Sequence, residues 1–259
     1  MNPDRDWNPA LYLKFRSERT QPSIDLVSRI NVTDPQNIID IGCGPGNSTE
    51  ILLHRWPTSK ITGIDNSPAM IEKARNDYPN QTWKIQDAST IDIKEKYDIV
   101  FSNATIQWIP NHELLLLNFI KMVNKNGALA VQTPLYQEMP ICEIIDNVFK
   151  KVQNGKQAFN YNSLFTFHDI DYYYDVLIDC VERLEMWQTS YVHIMNSCKD
   201  IMEMIKSTGM KPYLDRIIDE KEKIEFEDEV LRECNRVYVK HKNTKVLFPF
   251  KRLFFIAYK

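Results

Sequence analysis

Residues 38–49 read Ile-Ile-Asp-Ile-Gly-Cys-Gly-Pro-Gly-Asn-Ser-Thr, and this stretch decides the fold. A short apolar run contains Asp40 and is followed by Gly42, Gly44 and Gly46, after which polar residues open a helical pattern. This order predicts a buried strand, a turn without side-chain bulk and the start of a helix. A small molecule can lie directly against such a turn, because glycine lacks the Cβ atom that would block its approach. In α/β sheets, ligands bind at this place, beyond the carboxyl ends of the strands.

Acidic residues at strand ends narrow the chemistry of the expected ligand. The third glycine comes one residue too early for the Gly-x-Gly-x-x-Gly fingerprint of dinucleotide binding, and Asp40 would repel a pyrophosphate. A second strand-like segment, residues 60–64, ends in Asp65, which is placed to accept hydrogen bonds from both hydroxyls of a ribose. A third, residues 82–86, ends at Asp87. Three carboxylates at successive strand ends favour a ligand that carries a ribose and a positive charge.

The composition excludes several classes of partner. The chain has 259 residues, enough to bury a sizeable core, and its formal net charge is −3, with no basic patch of the size that nucleic-acid binding needs. No apolar stretch approaches the roughly 20 residues of a membrane span, and the first residues lack the apolar core of a signal peptide. The five cysteines lack metal-ligand spacing and are expected to be buried thiols, with Cys43 acting as a small residue of the glycine turn. We therefore expect a cytoplasmic monomer without a metal site.

The order of predicted elements defines the fold class. Helices are predicted at residues 21–30, 48–56, 68–77, 111–123, 139–152 and 169–180, and further strands at 97–102, 127–132, 181–194 and 246–258. Residues 200–238 are strongly helical and charged, and they stand between the last two strands. This pattern predicts an α/β, Rossmann-like, doubly wound and mostly parallel seven-stranded sheet, with a helical cap inserted before the last strand. We expect one domain over 1–259, with an N-terminal arm (1–20), a cofactor-binding core (21–134) and a substrate-selecting part (135–259).

The glycine loop and the strand-end acids resemble those of the S-adenosylmethionine-dependent methyltransferases of the Rossmann-like class. Narrower motifs are similar to the trans-aconitate 2-methyltransferases along nearly the whole chain. The matching stretches are Asp-Trp-Asn-Pro-x-Leu-Tyr-x-x-Phe with Glu18-Arg19, Asp-x-Gly-Cys-Gly-Pro-Gly-Asn-Ser-Thr, Gly63-Ile-Asp-x-Ser-Pro-Ala-Met-Ile71, Asn103-Ala with Gln107-Trp108 and His112, Leu129-Ala-Val-Gln132, Tyr191-x-His193-x-Met195, Thr208-Gly209 with Pro212, and the Phe-Pro…Arg-Leu-Phe of the last strand. The resemblance implies monomethyl esterification of a small tricarboxylate, with S-adenosylhomocysteine as the second product.

The resemblance also implies the site residues. The expected cofactor-binding residues are Asp40, Gly42, Gly44, Gly46, Asp65, Asn66, Met70, Asp87, Ala88, Asn103 and Trp108. The expected substrate-binding residues are Tyr12, Arg19, Gln107, Tyr191, His193 and Arg252. Among these, Arg19 and Arg252 are expected to hold carboxylates, because a guanidinium binds a carboxylate through two hydrogen bonds. No catalytic base is expected, since a carboxylate is already ionised at neutral pH and needs only to be positioned.

Some positions depart from the family pattern and leave the acceptor open. Lys211 and Tyr213 replace the arginine and tryptophan that are usual there, and residues 133–136 form a more apolar loop than is usual. A lysine is a point charge and does not reproduce the fork of a guanidinium. The alternatives are another small acid or a malonyl thioester as acceptor, and a protein that binds S-adenosylmethionine without turnover. A nicotinamide dehydrogenase is disfavoured by the glycine spacing.

Overall fold

The computed structural model describes residues 16–91, 93–153 and 165–259, with the side chains of 16–19 left aside. Helices in these ranges are α1 (Arg16–Arg29), α2 (Asn47–Arg55), α3 (Pro68–Asp77), α4 (His112–Met122), α5 (Pro140–Val152), α6 (Ile170–Leu177), α7 (Cys198–Lys206), α8 (Lys211–Leu214) and α9 (Glu220–Val237). Strands are β1 (Asn37–Ile41), β2 (Lys60–Asp65), β3 (Thr82–Ile85), β4 (Tyr97–Asn103), β5 (Val123–Pro134), β6 (Arg183–Met195) and β7 (Val246–Tyr258). Short 3₁₀ turns lie at Ala88–Thr90, Ile106–Trp108, Tyr136–Glu138 and Ile178–Cys180.

The strands of the described residues form one seven-stranded sheet in the order β3-β2-β1-β4-β5-β7-β6. The first five of these pair in parallel, and β7 runs antiparallel. The connection from β1 goes to β2 on one side, whereas β4 adds on the other side of β1. The sheet therefore has its switch point between β1 and β4, where the carboxyl ends of parallel strands leave a crevice. The predicted fold class is confirmed.

The chain divides into two compact units. In its described parts, the first unit comprises residues 16–91, 93–133, 168–188 and 253–259, and it holds β1 to β4 with their helices. Its core is made by the strands, because Ile38, Ile99 and Leu129 are fully buried. Helix α3 starts where the sequence predicts, since Ser67 accepts a hydrogen bond from Met70 N and Pro68 occupies the first turn. The expectation of a single domain over 1–259 stays a prediction.

The second unit comprises residues 134–153, 165–167 and 189–252 in its described parts. Helices α5 and α9 pack through aromatic side chains, with the rings of Phe149 and Phe226 edge to face at 5.9 Å and Tyr213 beside Phe149 at 5.2 Å. The stretch predicted as helical between the last two strands is three helices, α7 to α9. It is broken after α7 at residues 207–210, where Gly209 lies against the hydroxyl end of Tyr136.

Candidate active site

The glycine loop after β1 leaves open space at one residue. Gly44 has a φ of +55°, and a Cβ built there would meet no atom within 4 Å among the described residues. Gly46 has a φ of +96°, and a Cβ there would lie 2.8 Å from the ring of Tyr78. Gly42 is closed by the Thr105 side chain, which a Cβ would overlap. The loop thus needs glycine for packing at two positions, whereas at Gly44 the free space is available to a ligand.

Asp40 is a buried carboxyl group in the middle of this loop's strand. One oxygen, Oδ2, accepts hydrogen bonds from Ser48 Oγ at 2.7 Å and Thr49 Oγ1 at 2.6 Å. The other oxygen, Oδ1, is buried and has no hydrogen-bond partner in the described part of the chain. Burial is the main cause that raises the pKa of Asp40 from 3.8 to about 6, and the nearby Asp65 adds to it, while the two hydroxyls oppose the rise. A positively charged ligand would offset this cost of keeping the carboxylate ionised.

Asp65, at the end of β2, orders the glycine loop. Its Oδ2 accepts from Gly44 N at 3.0 Å, and its Oδ1 accepts from Ser67 N at 2.9 Å. Both carboxylate oxygens of Asp65 therefore act as acceptors at the end of β2. Asn66 beside it is exposed, and Met70 is buried in the first turn of α3. The sequence did not predict these hydrogen bonds from backbone amides to Asp65.

Asp87 follows β3 and is exposed. Its Oδ1 caps the short turn that begins at Ala88, accepting from Ser89 N at 2.8 Å and Ser89 Oγ at 2.7 Å. The cap fixes the direction of this turn at the carboxyl edge of the sheet. Ala88 is half-buried.

The turn after β4 carries the remaining expected residues of the first unit. Asn103 ends β4, and Ala104 next to it has a φ of +54°, a left-handed conformation that is unfavourable for a residue with a Cβ. Gln107 is buried and donates from Nε2 to the Ala104 carbonyl at 2.7 Å. Since a carbonyl only accepts, the amide orientation of Gln107 follows, and its Oε1 is a buried acceptor without a hydrogen-bond partner in the described residues. Trp108 is half-buried beside it.

The residues of this site fit a ligand that donates hydrogen bonds and carries positive charge. Two buried acceptors, Asp40 Oδ1 and Gln107 Oε1, have no hydrogen-bond partner within the described ranges, and the space over Gly44 is open. Asp40 lies near the carboxyl end of β1, and Gly44 and Gln107 lie on the segments that follow β1 and β4, at the edge of the sheet where α/β folds bind ligands. S-adenosylmethionine, with an ammonium on its methionine part and a sulfonium, has this chemistry.

The expected substrate residues of the second unit lie on its two strands. Tyr191 and His193 are half-buried on β6, and the His193 ring lies 6.2 Å from that of Phe250 on β7. Arg252 is 4 % exposed, and its guanidinium carbon lies 4.4 Å above the Phe250 ring. Buried and exposed positions alternate without a break from Val246 to Arg252, so Arg252 lies on the same face of the strand as Phe250.

Two of the expected residues are not covered. Tyr12 lies outside the described residues, and Arg19 belongs to α1, but its side chain is among those not described.

The cysteine prediction needs one correction. Cys43, Cys142, Cys198 and Cys234 are buried, whereas Cys180 is exposed, because it ends the surface turn after α6. Burial raises the pKa of the Cys43 thiol, as expected for a packing residue rather than a nucleophile.

Comparisons with known proteins identify the family and the fold. A family model described as "Methyltransferase domain" matches residues 33–209. Trans-aconitate 2-methyltransferase of Enterobacter sp. (strain 638) is 36 % identical over 252 residues, which is 97 % of this chain and 98 % of that protein. The enzyme of the same name from Variovorax paradoxus (strain S110) is 34 % identical over 256 residues, 98 % of each chain. The chain belongs to the methyltransferase domain family.

Solved structures of lower identity share the fold. Phosphoethanolamine N-methyltransferase 2 of Haemonchus contortus, in complex with S-adenosyl-L-methionine, is 15 % identical with a TM-score of 0.57, over 92 % of this chain and 52 % of that one. A coclaurine N-methyltransferase bound to N-methylheliamine and S-adenosylhomocysteine is 17 % identical with a TM-score of 0.52, over 93 % of this chain and 72 % of that one. At this identity, the match concerns the methyltransferase fold.

The described residues contain neither a helix suited to a membrane nor a cluster of metal ligands. None of their helices combines the length and apolarity that a bilayer crossing requires. No group of three or more histidine, cysteine, aspartate or glutamate side chains in residues 16–91, 93–153 and 165–259 is placed to hold a metal ion.

The site residues that the sequence analysis missed are those that shape the loops. Ser48 and Thr49 could have been found, since two hydroxyls follow the glycines, but Thr105 carries no signal of its contact with Gly42.

Proposed function

We propose that this protein is an S-adenosylmethionine-dependent carboxyl O-methyltransferase that forms a monomethyl ester of a small polycarboxylate, trans-aconitate in the first place. The single observation that supports the cofactor is the buried Asp40 Oδ1, without a hydrogen-bond partner in the described residues, on the strand that leads into the open glycine loop. The acceptor rests on two full-length relatives named trans-aconitate 2-methyltransferase. Together they support transfer between a cationic cofactor and an anionic acceptor.

The residues of the chain bind and orient, and none needs to move a proton. When bound, S-adenosylmethionine supplies a methyl group on a positively charged sulfur. A carboxylate with a reference pKa near 4 is already a nucleophile at neutral pH, so positioning and exclusion of water suffice. In this proposal the carboxylate of Asp40 balances cofactor charge, Asp65 accepts from the ribose hydroxyls, and Gln107 and Trp108 wall the reacting position.

Arg252 is the residue proposed to bind a carboxylate of the acceptor. The residue is buried, and its guanidinium carbon lies over the Phe250 ring, a cation–π contact that favours a fixed position of the fork. We expect Arg252→Lys to raise the KM for the acid about tenfold or more, because a lysine cannot bind both carboxylate oxygens in one plane. Affinity for S-adenosylhomocysteine should stay unchanged. Lost cofactor affinity in a folded variant would instead assign Arg252 to the cofactor carboxylate.

The departures from the family pattern bear on the alternative acceptors. Lys211 forms an ion pair with Asp215 at 3.1 Å, one helical turn away, so its charge is engaged within α8 and its flank. In the loop after β5, Leu135 and Tyr136 are buried, and Tyr136 packs on Gly209. Their apolar character is thus explained by packing, which removes a reason to prefer a thioester acceptor.

The test is transfer of labelled methyl from S-adenosylmethionine to a panel of acids. The panel contains trans-aconitate, cis-aconitate, isocitrate and a malonyl thioester. We expect trans-aconitate to have the highest kcat/KM. Turnover of another acid would retain the reaction and change the acceptor. Binding of S-adenosylhomocysteine without transfer to any of them would favour a protein that binds the cofactor without turnover.

A further inference from the structure

His112 begins helix α4 and is completely buried, although an imidazole carries two polar nitrogens. Both nitrogens are satisfied. Nε2 lies 2.8 Å from the carbonyl oxygen of Ile106, and Nδ1 lies 2.7 Å from the hydroxyl of Tyr173. The histidine therefore joins three segments: the start of α4, the turn after β4, and helix α6.

The two partners determine the tautomer of His112. The Ile106 carbonyl can only accept, so Nε2 carries the proton and donates it, and Nδ1 accepts from the Tyr173 hydroxyl. Burial lowers the pKa of His112 to about 4, with hydrogen bonding to Ile106 opposing and the nearby His168 adding to the shift. The ring is thus neutral at the pH of the cell, with its one N–H directed to Ile106.

Tyr173 itself is held by the sheet. It is 1 % exposed, and its ring lies 5.4 Å from that of Phe255 on β7 at an interplanar angle of 30°. A path of direct contacts therefore runs from β7 through Tyr173 and His112 to the backbone of Ile106. The last residue of this path lies immediately before Gln107 and Trp108.

The turn that His112 reaches needs such a support. Ala104 occupies the left-handed region, which costs a residue with a Cβ about 1 kcal/mol, so the turn would relax if nothing held it. Gln107 Nε2 binds the Ala104 carbonyl from within the turn, and Trp108 N donates to Thr105 O at 3.0 Å. The bond from His112 is a side-chain bond from outside the turn that meets its backbone at Ile106.

We propose that His112 is a positioning residue for methyl transfer, whose Nε2–H holds the turn of residues 104–108 so that Gln107 and Trp108 keep the shape of the acceptor pocket. This inference rests on the proposed function, which makes these two residues the walls of that pocket. His112 has no catalytic role of its own in this proposal. Its effect passes through the Ile106 carbonyl.

Two isosteric substitutions separate this role from simple packing. In His112→Gln the amide nitrogen can take the place of Nε2 and donate to Ile106, while the bond with Tyr173 is lost. In His112→Asn the amide reaches only the place of Nδ1, so the bond with Tyr173 can remain, while the Ile106 carbonyl loses its side-chain donor and keeps only the bond from Ile109 N within the turn. Each variant loses one hydrogen bond, so both should lose similar stability. We expect kcat/KM for the acid to stay within about threefold in the glutamine variant and to fall about tenfold or more in the asparagine variant.

Hydrogen exchange gives a readout that does not depend on activity. The amides of Trp108 and Ile109 are protected by bonds to Thr105 O and Ile106 O. In protein without acid substrate, we expect a peptide over residues 103–109 to exchange faster in His112→Asn and at the wild-type rate in His112→Gln. Affinity for S-adenosylhomocysteine should be equal in both. If both variants lose activity and protection equally, or neither loses them, the positioning role is refuted.

A measurement on the wild-type protein covers the case of a variant that does not fold. Nitrogen-15 NMR of labelled histidine should find His112 as the neutral Nε2–H tautomer throughout pH 5 to 8. An Nδ1–H tautomer, or a cation at pH 6, would refute the inference. If the wild type methylates no acid of the panel, the proposed function fails, whereas exchange and NMR still decide whether His112 holds the turn.

Discussion

Asp40→Asn is the substitution whose consequences the structure defines most closely. The pKa of Asp40 is about 6 in the folded protein against 3.8 for the ordinary side chain. At 1.36 kcal/mol per pKa unit, keeping this carboxylate ionised at pH 7 costs the ligand-free protein about 3 kcal/mol. Because the folded-state pKa is the higher one, the folded state binds the proton more tightly, and stability falls as the pH rises from about 4 to about 6. Above that range this contribution is constant.

Asparagine keeps the shape of the group without its charge. Its carbonyl oxygen can still accept from Ser48 and Thr49, so the hydrogen bonds of Oδ2 are preserved. We therefore expect the ligand-free variant to be more stable than the wild type at pH 7 by up to about 3 kcal/mol, a rise in Tm of roughly 2–4 °C per kcal/mol. The variant should also lose the stability slope between pH 4 and pH 6. Differential scanning calorimetry over pH 4 to 8 measures both effects.

Cofactor binding should change in the opposite direction. A cation binds the ionised form of Asp40, and the ionised fraction falls from about 0.9 at pH 7 to about 0.1 at pH 5. The wild-type Kd for S-adenosylmethionine should therefore be about tenfold weaker at pH 5 than at pH 7, with proton release on binding below pH 6. In Asp40→Asn the Kd should be weaker at pH 7 and nearly independent of pH. Isothermal titration in buffers of different ionisation enthalpy measures the Kd and the released proton together. A flat wild-type profile, or the same slope in both proteins, would refute the reasoning.

Two further substitutions test the glycine loop and the opposite end of the sheet. Gly44→Ala should leave the protein folded, since its Cβ meets no described atom and only the left-handed φ costs about 1 kcal/mol. The added methyl group fills the ligand space, so we expect it to abolish binding of S-adenosylhomocysteine. Gly46→Ala is the matched control, in which contact of the new Cβ with Tyr78 should lower the Tm instead. An unchanged Kd in folded Gly44→Ala would contradict the site. Asp98 accepts from Gln36 N, Asn37 N and Asn124 Nδ2 at the amino end of β1, so Asp98→Ala should cost about 2–3 kcal/mol in urea unfolding while the Kd of the folded protein stays unchanged. A weakened Kd there would mean that the two ends of the sheet are coupled.

Local patterns predicted the parts of this protein that local interactions hold. The strand, glycine turn and helix of residues 38–55 are set by neighbours within a few residues, because backbone hydrogen bonds and the φ freedom of glycine act at that range. The start of α3 at Pro68 and the bounds of β7 were predicted correctly for the same reason. The methyltransferase fold followed from the order of such elements.

The division of the helical stretch between β6 and β7 was less predictable. Its composition is helical throughout, but the chain turns at residues 207–210, where Gly209 accommodates Tyr136 from a distant segment. A helix ends there because of a packing partner far away in the sequence. Composition alone cannot supply that partner.

The order of residues was enough to predict the fold class, the glycine loop and the acids at the strand ends. The burial and the hydrogen-bond partners of these groups became visible only in the folded chain. Burial by many distant side chains raises the pKa of Asp40, and a contact across 61 residues joins His112 to Tyr173. The difference is one of range, because turn and helix signals act between neighbours, whereas desolvation and side-chain hydrogen bonds depend on every segment that the fold brings together.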